Sequence, residues 1–363
     1  MKAHKVPATY YDGWQSDENK GRFYIFYKGT NPKKGISKKY RKVKQITNEH
    51  KYFMEENFYF IDLSIPGIVY ALKDEITDFL KNERYSIIYN DTDSDDENFE
   101  KVVINNYDDF TCYFRYLKTW EIEYDGKNIS TDDFKKNLND YISLRVGNII
   151  EKDYFANYLE PKWKRTLESI VNKVSILKQM DDVIIDKIDD FLEFFIIQYL
   201  RVEQRISNDI DPVISMVENV LEEMGLEQHD IKELKDDGFL SPEAHFFKIL
   251  LDTAKGDNHK VNNQICKIKK NYIIDILEAP IDYYYVTSAN PVVISKKKKT
   301  INEEILFPIN KKYCAKVKIR HDMSEKGKYI RQTGREVKII NNIIINESNN
   351  IIISNKEDIS KII

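Results

Sequence analysis

Tyr283-Tyr284-Tyr285-Val286-Thr287-Ser288-Ala289-Asn290-Pro291-Val292-Val293-Ile294 is the stretch on which the reading of this chain turns. Aromatic and β-branched residues in a run predict a buried strand. The small polar segment Ser288-Ala289-Asn290-Pro291 kinks it, and a second apolar run follows. Small polar residues at the end of a buried strand are a common place for chemistry. Here the position where a reactive carboxylate would sit holds Ala289.

Downstream and upstream of this stretch the chain reads as β-like. Candidate strands are 271–278, 283–288, 291–295, 304–309, 313–320, 336–346 and 350–354, with Asn-rich breaks around the last two and a basic loop at Lys296–Lys299. Near the other end, 22–28 reads as a strand and Asn31-Pro32-Lys33-Lys34-Gly35 as a turn. Tyr52–Leu63 is aromatic-rich and extended in part, Pro66-Gly67 breaks it, and Val69–Leu80 suits a short helix. Asn90–Glu97 is acidic but lacks the glycine and terminal glutamate of a calcium loop, so it reads as a solvated connection.

The centre is helical. Trp163, Leu167, Ile170, Val171, Val174 and Leu177 form one helical stripe. A second helix is expected over Asp182–Ser207, with Ile184, Ile188, Phe191, Leu192, Phe195, Ile196 and Tyr199 inward. A third starts at the Asp211-Pro212 cap and ends near Gly225, and a fourth runs from Ser241-Pro242-Glu243 to near Gly256. The expected fold class is therefore α+β: a central helical bundle packed on a mixed or antiparallel sheet of N- and C-terminal strands. The expected organisation is one domain over 1–363, with N-terminal strands and acidic loop in 1–110, a helical core in 155–256 and C-terminal strands in 271–363.

With 42% hydrophobic and 32% charged residues in 363, the composition is that of an ordinary globular chain able to bury a core. The net charge of −4 hides a segregation: residues 1–50 carry 12 Lys/Arg against 4 Asp/Glu, and 255–338 carry 19 against 9. Two basic ends would attract a polyanion if they met in space; solvated surface lysines are the plainer reading. Cys112, Cys266 and Cys314 are widely spaced and include no C-x-x-C pair, which fits a reducing cytoplasm. The opening Met-Lys-Ala-His-Lys-Val-Pro has no apolar core of a signal peptide. No run approaches the roughly 18 apolar residues of a membrane span, so no membrane is expected.

Phosphate-loop, dinucleotide-fingerprint, zincin and nucleophile-elbow motifs are all absent from the sequence. Three weaker features remain. His4 could serve as a general base if the Pro7 turn carries it into the fold, though a residue so near an end is ordinarily exposed. Gln198, Arg201 and Arg205 share one face of the second helix beside an apolar surface. An arginine there either pairs, for instance with Glu168, or holds an anion. Finally, Glu336-Val337-Lys338 on a late strand has the Glu-x-Lys spacing with which many nucleases hold Mg²⁺ and steady a water, although both side chains would face solvent in a plain strand.

In this order the pieces resemble the bacterial "domain of unknown function 4238" family. His4-Lys5-Val6-Pro7 with Tyr10 and Tyr11 resembles its opening, and Phe58-Tyr59 its early Phe-Tyr. Gln198-x-x-Arg201 resembles its helical Gln-x-x-Arg, and Thr287-Ser288-Ala289-Asn290-Pro291 its Thr-Ser-Asp-x-Pro. Phe307-Pro308-Ile309 and Lys338-Ile339-Ile340-Asn341 match two later motifs. The resemblance spans nearly the whole chain and departs from the family at 289, where the family has Asp. Intact neighbours favour an Asp-to-Ala replacement in a complete site over drift. The resemblance implies a pocket with residue 289, His4, Gln198 and Arg201 at its chemical centre and Arg205, Ser288, Asn290 and Lys338 on the substrate. Glu336 would be a ligand to Mg²⁺ or Mn²⁺.

The expected function is a toxic effector hydrolase, a metal-dependent nuclease of a phage-defence system acting on nucleic acid or nucleotide, with a partner protein from a defence operon. A nucleotide- or cofactor-degrading effector is the nearest alternative. A non-enzymatic binding module is the other class.

Overall fold

The structure, a computed structural model, describes residues 2–4, 8–15, 23–28, 40–46, 54–56, 63, 66–90, 101–200, 242–288, 290–295, 304–347 and 351–355. The expected turn at 31–35, most of the acidic loop, the helix from Asp211 and the Lys296–Lys299 loop lie outside these residues. The protein is α+β. Contacts divide it into two compact units: one of Met1, 57–150 and 204–252, the other of 2–56, 151–203 and 253–363. Neither follows the three sequence blocks, since each is assembled from distant segments.

The larger unit begins with β1 (Lys2–His4), α1 (Ala8–Tyr11), β2 (Phe23–Lys28), β3 (Tyr40–Ile46) and β4 (Met54–Glu56). In the other unit come α2 (Pro66–Ala71), α3 (Lys73–Leu80), β5 (Tyr85–Asn90), β6 (Lys101–Val103), α4 (Tyr107–Tyr113), β7 (Trp120–Tyr124), β8 (Lys127–Asn128) and α5 (Thr131–Gly147). A π-helical segment (Asn148–Leu159) leads into α6 (Glu160–Val174), α7 (Ile188–Leu200), α8 (Pro242–Ala254) and α9 (His259–Asn271). The chain closes with β9 (Tyr272–Glu278), β10 (Thr287–Ser288), β11 (Val293–Ser295), β12 (Glu304–Pro308), β13 (Tyr313–Ile319), β14 (Tyr329–Arg331), α10 (Gly334–Asn346) and β15 (Ile351–Ser354).

Two sheets organise the larger unit. The first has strand order β11-β12-β13-β9-β14, antiparallel except where β14 runs parallel to β9. The second, β10-β15-β2-β3, joins strands from both ends of the chain. Period-two alternation lets β12 face two cores. Leu306 packs with Leu277, Cys314, Tyr285, Ile352 and the α10 residues Val337, Ile340, Ile344 and Ile345. Phe307 packs the other way, its ring 5.6 Å from Tyr10, 5.8 Å from Trp163 and 5.7 Å from Phe195.

Strand β9 is buried at Ile273, Ile274, Ile276 and Leu277 yet carries a fully buried Asp275 among them. Its Oδ1 accepts the Lys328 backbone N–H at 2.9 Å and its Oδ2 lies 2.8 Å from Lys318 Nζ. A buried carboxylate without such partners would be strongly unfavourable.

Three expectations need correction here. Residues 336–346 are helical, not a strand: α10 starts at Gly334 behind a Thr333 cap. The Thr333 side chain accepts the Glu336 N–H while the Glu336 carboxylate accepts the Thr333 N–H at 2.7 Å, a reciprocal capping box. Buried Val337, Ile340, Asn341, Ile344 and Ile345 follow the 3.6-residue period, which outweighs the β-propensity of a run of isoleucines. The strand expected over 283–288 is confined to Thr287–Ser288, because Tyr283–Val286 bond to side chains and loops rather than to a ladder. The helix expected from Asp182 begins at Ile188, and Ile184 is 67% exposed rather than inward.

The cap makes one pH prediction. The Thr333 backbone N–H, then its hydroxyl, hold the Glu336 carboxyl below its ordinary 4.5. A folded-state pKa below the unfolded one gives stability that is complete above the unfolded value and disappears as pH falls through the lowered one. Between about pH 5 and pH 3 the unfolding midpoint of the protein is expected to fall more steeply than that of Glu336→Gln, which keeps the hydrogen bonds without titrating. Identical slopes would remove Glu336 as an acid-sensitive cap.

In the smaller unit, strands run β6-β5-β7-β8. Trp120-Glu121-Ile122-Glu123-Tyr124 alternates buried and exposed residues along β7. Asp125 (φ 49°) and Gly126 (φ 70°) close the β7–β8 hairpin in the left-handed region that this tight turn requires. Phe79 of α3, Phe134 of α5 and Tyr85 and Trp120 of the sheet form its aromatic core. The Ser130 side chain caps α5 at the Asp133 N–H.

Candidate functional site

In the larger unit, α1 and the short 3₁₀ turn after it are welded to the end of the opening stretch. Tyr10 is buried; its hydroxyl donates to Pro308 O at 2.6 Å and lies 2.9 Å from Thr287 Oγ1, which donates in turn. Burial, outweighing that donation from Thr287, holds the Tyr10 hydroxyl neutral with its pKa well above the usual tyrosine value. Trp14 Nε1 donates to Tyr285 O at 3.0 Å, and the Lys311 N–H donates to Gly13 O at 3.0 Å. Gly13 has no room for a side chain, since a Cβ would sit 2.7 Å from that of Asn310.

Asn341 of α10 supplies a second fastening. Its Oδ1 accepts the Val286 N–H at 3.0 Å and its Nδ2 donates to Tyr284 O at 2.9 Å. An irregular segment inside a core keeps its polar backbone only when side chains complete it in this way. Beyond β10, Ser288 Oγ donates to Asn290 O at 2.8 Å and accepts the Asn290 N–H at 3.0 Å, so the two buried residues brace each other across position 289.

Gln198 lies on α7, one turn past Phe194, whose ring stacks on Tyr10 at a centroid distance of 6.2 Å. It is 0% exposed, and neither Nε2 nor Oε1 has a hydrogen-bond partner. Buried amides are nearly always satisfied, so an amide without partners marks a ligand, an internal water or a strained site. The Tyr285 hydroxyl, the side chain of Asn355 and Trp163 Nε1 are buried and without hydrogen-bond partners in the same unit.

Among the expected site residues, the fold therefore braces Ser288 and Asn290 together and sets Gln198 one turn beyond the Tyr10 contact. The backbone of His4 pairs with Met54 in the two-stranded β1–β4 sheet, while its side chain lies outside the described residues, as do Ala289, Arg201 and Arg205. Lys338 is half-buried and Glu336 exposed, both on helix α10 rather than a strand. The Glu336 carboxylate is occupied by its cap, so it does not fit the metal-ligand role. Among the described residues no group of three or more His, Cys, Asp or Glu side chains could hold a metal ion.

The sequence reading missed Tyr285 and Asn355 as site candidates. Nothing in a tyrosine or asparagine announces that its polar atoms will be left unpaired. A groove of about 220 Å³ lined by Ile170, Val174, Ile176, Val183 and Ile184 opens near the end of α6 and includes none of the expected residues.

A separate polar constellation joins α6, α7 and the π-helical segment. Buried Glu193 accepts from Tyr154 at 3.0 Å and Lys162 at 2.6 Å, and Lys162 also lies 3.0 Å from Asp190. Burial disfavours the Lys162 charge, but hydrogen bonds to Glu193, Tyr158 and Asp190 outweigh it and raise its pKa. Burial, then the charge of Glu193, raises that of Tyr154. Every member is satisfied, as suits a structural clamp.

No family model matches the chain, and neither does a curated protein or a solved structure, so the resemblance rests on its motifs alone.

Proposed function

We propose that this chain is a hydrolytic effector that takes a nucleotide or a similar small phosphate-bearing molecule at the junction of α1, α7 and the 287–290 strand end. The observation carrying this reading is Gln198: fully buried, one helical turn past the Phe194 ring that stacks on Tyr10, with both amide atoms unpaired. A small ligand suits it better than a nucleic acid held through metal, because the carboxylate expected as metal ligand caps a helix instead. In this reading the reactive group is the carboxylate that the resemblance implies at position 289, and the phosphate partner is Arg201, three residues after Gln198 in the sequence.

Gln198→Met nearly preserves shape and deletes the unpaired amide. It is expected to stabilise the protein by about 1–2 kcal/mol in urea unfolding. On the Ala289→Asp background it is expected to abolish turnover. Purified Ala289→Asp protein is incubated with nucleoside mono-, di- and triphosphates, dinucleotides, plasmid and RNA, with Mg²⁺, Mn²⁺ or chelator, and products are followed by mass spectrometry. Turnover of a small nucleotide that Gln198→Met removes is the expected result. Cleavage of plasmid or RNA alone returns the nuclease reading. An inert Ala289→Asp protein, with normal growth of its host, overturns both, as does a Gln198→Met that is less stable than its parent.

A further inference from the structure

We infer that the solvent face of α9 docks on the phosphate backbone of duplex DNA, with Lys267, Lys270 and Arg320 as its cationic contacts. This goes beyond the small-ligand reading and shares no residue with it. It gives a place in the fold to the basic excess of the 255–338 segment.

Spacing makes α9 amphipathic. Val261 and Ile265 are buried and Ile268 half-buried, while Asn263, Cys266, Lys267 and Lys270 are exposed on the opposite face. Solvent faces ordinarily mix both signs of charge, because unlike pairs three or four residues apart support a helix and like pairs weaken it. Here there are four lysines over 259–271 and no Asp or Glu from 258 to 274. Lys267 and Lys270, one turn apart, therefore repel each other. Arg320, just past β13, brings a third positive group to the same end of the helix. Its backbone N–H donates to Asn271 O at 2.7 Å and its Nη1 to Lys270 O at 3.3 Å. Its Nε is enclosed and has no hydrogen-bond partner.

Neighbouring cations are neutralised and these are not. Lys269 lies 2.8 Å from Asp189, Lys318 2.8 Å from Asp275, Lys316 3.3 Å from Glu304 and Lys326 3.2 Å from Asp182. Among the described residues Lys267, Lys270 and Arg320 have no carboxylate within ion-pair distance. The negative end of the helix dipole favours cations in the last turn, but it does not require a whole exposed face to lack carboxylates. A nucleic-acid backbone supplies the missing charge, since it is a row of anions whose counterions are released on contact. The helix is about 20 Å long, and the major groove of DNA admits an α-helix, whereas the deep, narrow groove of duplex RNA does not. The exposed Asn263 amide carries the donor and acceptor with which asparagine meets an adenine edge. An anionic lipid surface suits the face less, because an interfacial helix turns apolar side chains to the membrane and α9 turns its own inward.

The test is fluorescence anisotropy of a labelled DNA duplex with the full chain over a salt series, with duplex RNA and phosphatidylserine vesicles as parallel probes. The parent is expected to bind DNA with an affinity that falls steeply with salt. Lys267→Gln/Lys270→Gln/Arg320→Gln should weaken binding at low salt by about tenfold or more and reduce the log–log salt slope by about 2–3. Lys267→Gln/Lys270→Gln keeps the Arg320 bond to α9, so its fold is safe, and should reduce the slope by about 2. Lys127→Gln/Lys135→Gln/Lys136→Gln removes the same charge from exposed positions of the smaller unit and should leave DNA binding within about twofold of the parent. Absence of DNA binding at low salt overturns the inference. Equal weakening by the two triple variants does so too, because the attraction would then belong to the net charge and not to α9. Vesicle or RNA binding that the α9 triple variant abolishes, without DNA binding, overturns DNA as the partner. Each of these results leaves the small-ligand reading standing, since Gln198→Met tests it separately.

Discussion

Asn341→Leu is expected to lower the stability of the larger unit by about 3 kcal/mol, although leucine fits a buried helical position well. The buried asparagine spends both ends of its amide on the backbone, accepting from Val286 N–H and donating to Tyr284 O. Leucine has neither group, so a buried N–H and a half-buried C=O would lose partners at once. An unmade buried hydrogen bond costs about 1–3 kcal/mol, more than the apolar gain from one leucine in a space shaped for an amide. Urea unfolding measures the total, and amide exchange at Val286 localises it, because that proton should become the fastest of its segment. A variant as stable as its parent, with Val286 still protected, would show that Asn341 merely fills space. The position also bears on function, since Asn341 orients the residues that lead into Ser288 and Asn290.

Glu193→Ala should be nearly as damaging, by about 3 kcal/mol, through a different mechanism. Here a charge is removed from beneath three donors rather than an amide from beneath a backbone. The Tyr154 hydroxyl is buried and would lose its acceptor, and Lys162 would keep Asp190 at 3.0 Å and the Tyr158 hydroxyl at 2.9 Å. Breaking a buried ion pair from one side leaves an uncompensated charge, which is why the loss exceeds that from a surface pair. Tyr158→Phe is the control: its bond to Glu193 is long at 3.4 Å and its ring is well exposed, so a change within about 0.5 kcal/mol is expected. Equal losses in the two variants would mean that Glu193 contributes through packing and not through its charge. The same constellation sits where the π-helical segment passes into α6, and its hydroxyls from Tyr154 and Tyr158 are four residues apart on that segment.

Much of the fold was legible before any coordinates. Strands at 23–28, 272–278, 304–308 and 313–319 carry apolar, β-branched or aromatic runs bounded by turn residues, and α6 carries an unbroken 3.6-residue stripe. The misread helix α10 was legible too, since Thr333-x-x-Glu336 ahead of an apolar run is a capping box. There the isoleucine content argues for a strand and the spacing for a helix, and the spacing wins. The β7–β8 hairpin was equally open to reading, in its strict alternation and its Asp-Gly turn. The candidate site was legible only in outline. Gln198, Ser288 and Asn290 could be named from the sequence, but Tyr285 and Asn355 could not, because a side chain's unpaired state depends on what packs around it.

The sequence by itself determined the local periods: which residues alternate, which repeat every third or fourth position, where turns and caps fall. Those follow from backbone geometry within a few residues, so short segments suffice to specify them. Tertiary structure alone decided that Tyr10, Thr287 and Pro308, separated by up to 298 positions, would share one hydroxyl. It alone decided that the amides of Gln198 and Asn355 would be enclosed without partners. The physical reason is that burial and hydrogen-bond satisfaction are properties of contacts between distant segments, which a local pattern does not contain.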